Sequence, residues 1–270
     1  PGCGNFVIQH ALKEVFTDLA NEGLLPLENV VLVAGIGQHG KLFDFMNLNG
    51  FYSLHGRTIP VATGIRLANP ELKVLCVAGD GDCYAEGLDH LIFGAKRNLD
   101  ITVLVHDNRV YALTTGQYTP TSSQGFKGRS TPWGITELPL NPMELMLTSG
   151  ATYIARGYTR HPEQLKDLIR GALLHRGFSF VDILQICSTY NNLTDYYNAR
   201  VYDWQEGETG NFGSALEKAR EWDYTTDAKI GLGVMYRREA PIFEDAYPEP
   251  GPLTPEEKEA FIAGILEERT

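Results

Sequence analysis

Two apolar segments of this sequence, Lys73–Ala78 and Ile101–His106, have the length and composition of buried β-strands. The first runs into Gly-Asp-Gly-Asp at positions 79–82, and the second runs into Asp107 and Asn108. The interval between the two segments accommodates one crossover helix, which favours parallel neighbouring strands. In an open α/β sheet, ligands bind at the carboxyl ends of the strands. The sequence therefore predicts an α/β fold whose ligand site combines these two strand ends.

The residues at these strand ends are suited to a divalent metal ion and a diphosphate. Asp80 and Asn108 offer the oxygen ligands that Mg²⁺ prefers. Gly79 and Gly81 allow the backbone to approach a phosphate closely. The alternative is a pair of ordinary strand-to-helix turns, in which Gly, Asp and Asn are the usual residues. The occurrence of both halves one βα unit apart favours the metal and diphosphate site.

The rest of the chain continues the alternation of helices and strands. The predicted elements are a helix over Phe6–Asn21, a strand over Val30–Gly35, a helix ended by Asn69 and Pro70, a helix over Ala85–Arg97, a helix containing Leu165–Leu173, and strands over Phe178–Ile186 and Ile230–Met235. This alternation indicates a mostly parallel sheet with helices on both faces. No linker or repeat divides the chain, so we expect a single domain over 1–270, with a C-terminal extension from about residue 188.

Composition excludes several classes of protein. The chain has 270 residues, of which 43% are hydrophobic, and can bury a large core. Its net charge of −11 argues against nucleic-acid binding, which requires a basic face. No apolar run approaches the roughly 20 residues of a membrane span, and no signal peptide is visible. We therefore expect a cytoplasmic protein that binds neither nucleic acid nor membrane. Because the chain starts at Pro1 without a Met, we expect further sequence upstream.

A long polar segment, Thr114–Gly134, follows the second strand end and is rich in Thr, Ser, Gly and Pro. Irregular segments of this length are uncommon in compact domains unless they serve a function. Its position directly after Asn108 suggests that it folds over the ligand. The alternative is a surface excursion with no role in binding.

Together these motifs resemble the β subunit of the 2-oxoacid:ferredoxin oxidoreductases, and the resemblance covers nearly the whole chain. The segments that carry it, besides positions 79–82 and 107–108, are Pro1–Phe6, Gly35–Gly37, Leu54–Arg57, Ala62–Ile65, Arg97-Asn98, Tyr111–Thr114, Gly116-Gln117, Ser122, Ala155–Tyr158 and Leu184–Cys187. No single segment is decisive, but the ordered set is highly specific. The resemblance implies the diphosphate-binding fold of thiamine-diphosphate enzymes.

The resemblance also implies roles for individual residues. Asp80, Asn108 and the backbone carbonyl of Val110 would coordinate Mg²⁺. The residues that would contact thiamine diphosphate are Gly79, Asp80, Gly81, Asp82, Asn108, Val110, Leu113 and Thr114. Lys41, His55 and Leu113 match positions of the catalytic and substrate pocket, where a lysine would pair with the carboxylate of a 2-oxoacid. The alternatives are a packing histidine at position 55 and a solvated surface lysine at position 41.

The reaction that the resemblance implies is the oxidative decarboxylation of 2-oxoglutarate or pyruvate to an acyl-CoA. Electrons would pass through an iron–sulfur cluster to ferredoxin. One sheet leaves no room for the pyrimidine-binding domain and its glutamate, so we expect an α subunit to supply them in an α₂β₂ assembly. Two alternatives remain open, which are a non-oxidative thiamine-diphosphate-dependent decarboxylase subunit and a non-catalytic electron-transfer scaffold. The intact Asp80 and Asn108 count against the scaffold.

The cysteines depart from the family pattern, in which four of them hold a [4Fe–4S] cluster. Cys3 and Cys187 match two of the four positions, and the first would precede Pro1. The remaining position is Gln38, whose neutral amide is a poor iron ligand. Three outcomes are open: a cluster with a substitute ligand such as His39, a cluster completed by Cys83 or another chain, or no cluster.

Overall fold

The computed structural model of the chain describes residues 3–204, 209–247 and 254–267. Pro1 and Gly2, on which part of the expected cysteine motif falls, lie outside these residues. The strands form one eight-stranded sheet in the order β2-β1-β3-β4-β6-β5-β8-β7. They are β1 (Val30–Ala34), β2 (Asn49–Tyr52), β3 (Lys73–Gly79), β4 (Ile101–Asp107), β5 (Tyr153–Tyr158), β6 (Ser179–Leu184), β7 (Val201–Asp203) and β8 (Ile230–Arg237).

The first six strands are parallel to one another, and β8 pairs with β5 in the antiparallel direction. The helices are α1 (Gly4–Asn21), α2 (Thr58–Ala68), α3 (Leu88–Arg97), α4 (Pro142–Ser149), α5 (Pro162–Leu174), α6 (Thr194–Asn198), α7 (Phe212–Glu221) and α8 (Pro255–Glu267). Among the described residues, no helix is both long and apolar enough to cross a membrane.

Helices cover both faces of the sheet, as the pattern of buried residues requires. In β3, Val74 and Cys76 belong to the core under α2, α3, α4 and α7, whereas Leu75 and Val77 belong to the core under α1 and α5. This alternation follows from the two-residue period of a strand. Because both faces are buried, the strand sequence is apolar throughout rather than alternately polar. The expected α/β fold, with a mostly parallel sheet between two layers of helices, is confirmed.

Several elements differ from the sequence predictions. The helix predicted over Ala85–Arg97 begins at Leu88, because Asp82–Glu86 form a π-helical turn that Gly87 separates from α3. The structure also contains β2, β5 and β7, which the sequence patterns do not predict. Strand β2 is an exposed edge strand, β5 includes a buried arginine, and β7 is only three residues long, so none has the signature of an apolar core strand.

Candidate active site

The ends of β3 and β4 lie side by side at the carboxyl edge of the sheet. Gly79 of β3 pairs in register with His106 of β4, so the residues that follow each strand are neighbours. Asp80 and Asn108 both line one small cavity at this edge, together with Gly79, Gly81 and Val110. We call it the Asp80 cavity. The structure thus brings together the four residues that the sequence pattern placed around a metal and a diphosphate, and Val110, which the resemblance added.

Asp80 is almost completely buried, with 2% of its surface exposed. Its Oδ2 accepts a hydrogen bond of 3.1 Å from the hydroxyl of Thr121, in the middle of the long polar segment. Burial raises the pKa of Asp80 to about 6, and the hydroxyl groups of Thr119 and Thr121 partly offset this effect. The buried carboxylate would gain stability from a neighbouring cation.

Asn108 closes a tight turn directly after β4. Its Oδ1 accepts a hydrogen bond of 3.0 Å from the backbone N–H of Val110, and the intervening Arg109 adopts a left-handed conformation with φ of 60°. The side chain of Asn191 donates to the carbonyl of Asn108 at 3.1 Å. The turn therefore presents Asn108 and Val110 at the cavity through local hydrogen bonds that the sequence pattern could suggest.

Asp82 lines the Asp80 cavity and also joins three loops. Its Oδ1 accepts hydrogen bonds from the backbone N–H of Gly56 at 2.7 Å and of Ile36 at 3.4 Å. Its Oδ2 lies 3.5 Å from Nε2 of His39. A Cβ at Gly35 would lie 1.8 Å from the same Oδ2, so the approach requires glycine there. Oδ1 of Asp82 is therefore engaged by backbone N–H groups of the protein, whereas Oδ2 accepts no hydrogen bond from the described residues.

His55 is held at the rim of the Asp80 cavity. Its Nδ1 lies 3.2 Å from Oε2 of Glu86 and 3.9 Å from Oδ1 of Asp82. The hydroxyl of Tyr111 donates to the same Glu86 oxygen at 3.0 Å. Tyr111 also occupies the space next to Gly81, where a Cβ would lie 2.1 Å from the aromatic ring. Glu86 thus links the histidine to a tyrosine that packs on the Gly-Asp-Gly-Asp turn.

His39 and His106 form a pair of histidines that lines the Asp80 cavity. The rings of His39 and His106 are 5.7 Å apart, and Nδ1 of His106 lies 2.8 Å from Oδ1 of Asn5 in α1. Burial and the nearby His39 lower the pKa of His106 well below its ordinary value, so His106 is neutral at pH 7. His39 itself is buried and lines the Asp80 cavity.

Cys3 and Cys187 line a separate cavity of about 380 Å³, here called the cysteine cavity. Gln38 and Lys41 line it too. Gln38, Asn108 and Ala112 line both this cavity and the Asp80 cavity, so the two cavities adjoin. The two cysteines are therefore brought close to the strand-end residues, as the resemblance implies.

The structure argues against two of the substitute cluster ligands. Cys83 is buried in the core beneath α2 and α3, and burial raises the pKa of its thiol well above the ordinary value. The imidazole of His39 faces Asp82 and His106 rather than the cysteine cavity. Burial disfavours the thiolate of Cys83, which is the form that binds iron, and neither Cys83 nor His39 lines the cysteine cavity.

The three residues assigned to the catalytic pocket do not share one cavity. Lys41 is exposed and forms a 2.6 Å ion pair with Asp44. His55 lines an outer cavity of about 950 Å³, together with Thr114, Glu86 and Tyr111. Leu113 is 51% exposed. Lys41 lines the cysteine cavity, and His55 lines the Asp80 cavity as well as the outer one, so the assignment of these residues to a catalytic pocket stays a prediction.

Sequence reasoning missed a buried charged network behind the strand ends. Asp182 of β6 accepts hydrogen bonds from the hydroxyls of Tyr84 and Tyr224 and lies 3.9 Å from Arg156. Burial raises the pKa of Asp182 above its ordinary value, although Arg156 and both tyrosines oppose the shift. Burial and the charges of Asp182 and Asp80 raise the pKa of Asp107 well above its usual range. The pattern that signals this network is polar residues inside otherwise apolar strands.

Within residues 3–204, 209–247 and 254–267, no three His, Cys, Asp or Glu side chains converge as a metal site. The expected Mg²⁺ ligands would not form such a group, since they are one carboxylate, one amide and one backbone carbonyl. Mg²⁺ commonly binds through one or two carboxylates, with water and substrate phosphates completing its shell. The donor set at the Asp80 cavity therefore fits Mg²⁺ accompanied by a diphosphate.

Comparison with known proteins agrees with this site. The family model described as "Thiamine pyrophosphate enzyme, C-terminal TPP binding domain" matches residues 35–183. A second model, which describes the C-terminal part of the pyruvate ferredoxin oxidoreductase beta subunit, matches residues 187–250. The fold is thus that of a thiamine-diphosphate-binding domain.

Individual relatives narrow the family. The 2-oxoacid:ferredoxin oxidoreductase subunit beta of Sulfolobus sp is 38% identical over 262 residues, covering 91% of this chain and 83% of the relative. Subunit beta of 2-oxoacid:ferredoxin oxidoreductase 1 of Aeropyrum pernix is 39% identical over 250 residues, covering 87% of this chain and 76% of the relative. The chain belongs to the family of β subunits of 2-oxoacid:ferredoxin oxidoreductases.

A solved structure shares the fold over nearly the whole chain. It is the 2-oxoglutarate:ferredoxin oxidoreductase from Magnetococcus marinus with 2-oxoglutarate, coenzyme A and succinyl-CoA bound. The TM-score is 0.85 at 33% sequence identity, covering 99% of this chain and 86% of that one. The likeness extends to the C-terminal segment beyond β6.

Proposed function

We propose that this chain is the thiamine-diphosphate-binding β subunit of an enzyme that converts 2-oxoglutarate or pyruvate oxidatively to an acyl-CoA. Electrons would pass through an iron–sulfur cluster to ferredoxin. The observation that carries the proposal is the position of Asp80 and Asn108 at adjacent strand ends, in a cavity that adjoins the one lined by Cys3 and Cys187.

The residues at the Asp80 cavity fit Mg²⁺ and a diphosphate. The carboxylate of Asp80, Oδ1 of Asn108 and the carbonyl of Val110 would hold the cation. Gly79 and Gly81 would let the backbone approach the phosphates. Thiamine diphosphate supplies an electron sink for decarboxylation of a 2-oxoacid. Asp82 contributes indirectly, because its hydrogen bonds to Gly56 and Ile36 fix the surrounding loops.

The residues that line the cysteine cavity favour an iron–sulfur cluster with a ligand set other than four cysteines. Cys3 and Cys187 would bind iron as thiolates. Gln38 occupies the remaining family position within the described chain and lines the same cavity. His39 and Cys83 face elsewhere. We therefore propose a cluster in which the iron on the Gln38 side receives no thiolate from this chain.

The active site requires a second subunit. The described chain provides one sheet with one strand-end site, and the aminopyrimidine-contacting glutamate would come from an α subunit within an α₂β₂ assembly. The names of several relatives favour 2-oxoglutarate as the substrate. The 2-oxoglutarate oxidoreductase subunit KorB of Mycobacterium tuberculosis is 40% identical over 192 residues, which are 71% of this chain and 50% of that protein.

The test is an anaerobic assay of the complex formed with the α subunit, with thiamine diphosphate, Mg²⁺ and a panel of 2-oxoacids. We expect reduction of ferredoxin that depends on coenzyme A and is fastest with 2-oxoglutarate or pyruvate. The Asp80→Asn complex serves as the inactive control. Absence of reduction with every 2-oxoacid, in a complex that binds the cofactor, contradicts the proposal.

A second candidate function follows from Gln38. If the cysteine cavity holds no cluster, the same strand-end site would support non-oxidative decarboxylation. A single assay distinguishes the two functions, because the non-oxidative enzyme releases CO₂ and an aldehyde without coenzyme A or an electron acceptor. A product that forms only when both coenzyme A and an electron acceptor are added supports the oxidoreductase.

A further inference from the structure

Thr121 carries the hydrogen bond by which the long polar segment reaches the carboxylate expected to bind the metal. Its side chain is completely buried. Its Oγ1 lies 3.1 Å from Oδ2 of Asp80 and 2.9 Å from Oδ1 of Asp107. The resemblance to the family assigned no role to this residue, and the proposed function does not use it.

The hydroxyl proton of Thr121 can serve only one of these two acceptors at a time. Oδ1 of Asp107 has another donor, the backbone N–H of Arg109 at 3.1 Å. Oδ1 of Asp107 therefore keeps a donor whenever the Thr121 proton goes to Oδ2 of Asp80. This hydrogen bond occupies one oxygen of the Asp80 carboxylate and fixes the orientation of the carboxylate plane.

The backbone around Thr121 is itself fixed to the end of β4. The hydroxyl of Ser122 donates to the carbonyl of Arg109 at 2.7 Å and accepts from the backbone N–H of Thr119 at 2.8 Å. Nε of Arg109 donates to the carbonyl of Thr121. Since three hydrogen bonds outside its side chain hold this segment, loss of the Thr121 hydroxyl should leave the backbone in place.

We propose that Thr121 is a positioning residue that makes Asp80 a one-oxygen metal ligand and thereby selects Mg²⁺ over Ca²⁺. The inference rests on the proposed function. Mg²⁺ requires near-octahedral geometry with oxygen ligands at about 2.0–2.1 Å, whereas Ca²⁺ accepts two-oxygen carboxylates and about 6–8 ligands at 2.3–2.6 Å. Holding Oδ2 on Thr121 leaves Oδ1 for the cation and disfavours the two-oxygen mode.

The variant that tests this proposal is Thr121→Val, which keeps the side-chain shape and removes the hydroxyl. Removal of a partner that orients a metal ligand typically costs about 10–100-fold in affinity. We expect thiamine diphosphate affinity in Mg²⁺ to fall by about tenfold or more, and affinity in Ca²⁺ to change by less than about threefold. The ratio of the two affinities should therefore shift toward Ca²⁺.

The experiment is calorimetric titration of thiamine diphosphate into the complete, metal-stripped α–β complex, in MgCl₂ and separately in CaCl₂. Thr121→Ser retains the hydroxyl and should keep the wild-type ratio. Thr102→Val is a matched control, because Thr102 is a buried β4 threonine whose hydroxyl donates to the carbonyl of Ala172 at 3.2 Å, away from the cavity. It should also keep the wild-type ratio.

The results separate this inference from the proposed function. Wild-type complex that binds no thiamine diphosphate in either metal contradicts the proposed function. Wild-type binding with an unchanged Mg²⁺ to Ca²⁺ ratio in Thr121→Val contradicts only the role of Thr121. If Thr121→Val does not assemble, Thr121→Ala, which also removes the hydroxyl, decides the question, because an unchanged ratio overturns the proposal and a shift toward Ca²⁺ of about tenfold supports it.

Discussion

Oδ1 of Asp82 accepts a 2.7 Å hydrogen bond from the backbone N–H of Gly56, which joins the turn after β3 to the loop that carries His55. Gly56 has a φ of 70°, and a Cβ there would lie 2.4 Å from the backbone of Glu86. The two segments therefore pack more closely than any other residue at position 56 would allow. Oδ1 of the last residue of the Gly-Asp-Gly-Asp run is therefore committed to this contact, whereas its Oδ2 has no hydrogen-bond partner among the described residues.

We predict that Asp82→Ala destabilises the fold without removing a metal ligand. The substitution leaves the N–H groups of Gly56 and Ile36 without their acceptor, at a cost of about 2–4 kcal/mol in the free energy of unfolding. Urea denaturation of the cofactor-free complex measures this loss. Asp89→Ala, at an exposed position in α3, should change the free energy by less than about 0.5 kcal/mol. Equal stability of the two variants contradicts the structural role of Asp82.

Asp80→Asn is predicted to stabilise the cofactor-free protein while abolishing metal-dependent cofactor binding. The pKa of Asp80 in the folded state is about 6, above its ordinary value of 3.8. Ionisation of this carboxyl at pH 7 therefore lowers the stability of the folded state. A neutral isostere removes that cost, which is about 1–3 kcal/mol.

The stabilisation by Asp80→Asn should depend on pH with a defined sign. As pH falls from about 6 to below 3.8, the wild-type carboxyl becomes protonated in both states, and the difference between wild type and variant disappears. Thermal melts at pH 7 and pH 4 test this dependence. A variant that is less stable than wild type at pH 7 without cofactor would show that burial of Asp80 is not the dominant cost.

Glu86 is predicted to act on catalysis through His55. Its carboxylate lies 3.2 Å from Nδ1 of His55, so Glu86→Ala frees the imidazole to rotate. We expect kcat to fall by about tenfold with little change in KM. In the complete complex, a double-mutant cycle with His55→Asn should show coupling of about 1 kcal/mol. Independent, additive losses would mean that Glu86 does not position His55.

Gln38→Cys is predicted to change the electronic spectrum of the cluster. Gln38 lines the cavity with Cys3 and Cys187, and a thiolate in its place would supply the missing family ligand. We expect an altered electron paramagnetic resonance spectrum and a lower reduction potential in the reduced complex. Gln9→Cys places a thiol in the same cavity at a position outside the family motif and should leave the wild-type spectrum. Iron-free, colourless wild-type complex would contradict the cluster.

Much of the fold follows from local sequence, because its central strands are buried on both faces. Predominantly apolar composition identifies β3, β4 and β6, and the carboxyl ends of β3 and β4 then predict where Asp80 and Asn108 meet. Composition does not identify strand β5, because Arg156 is buried within it beside Asp182 of β6. Such a residue looks like a surface residue until its partner in the neighbouring strand is known.

The site is less predictable than the fold, since its side chains are oriented by contacts between distant segments. Sequence order indicates that Asp80 and Asp82 follow the same strand, but it does not show that Asp80 accepts from Thr121 whereas Asp82 accepts from Gly56. Neither the Thr121 contact to Asp80 nor the Glu86 contact to His55 has a local signature. Each depends on how a loop folds back across the end of the sheet.

The central claim is that this chain supplies half of an active site, and subunit dependence of decarboxylation tests it most directly. The measurement is release of labelled CO₂ from carboxyl-labelled 2-oxoglutarate and pyruvate, with thiamine diphosphate, Mg²⁺, coenzyme A and ferredoxin present. We predict release by the complex of this chain with its α subunit, none by either chain alone, and none by the Asp80→Asn complex. Release by this chain alone at the rate of the complex would contradict the account.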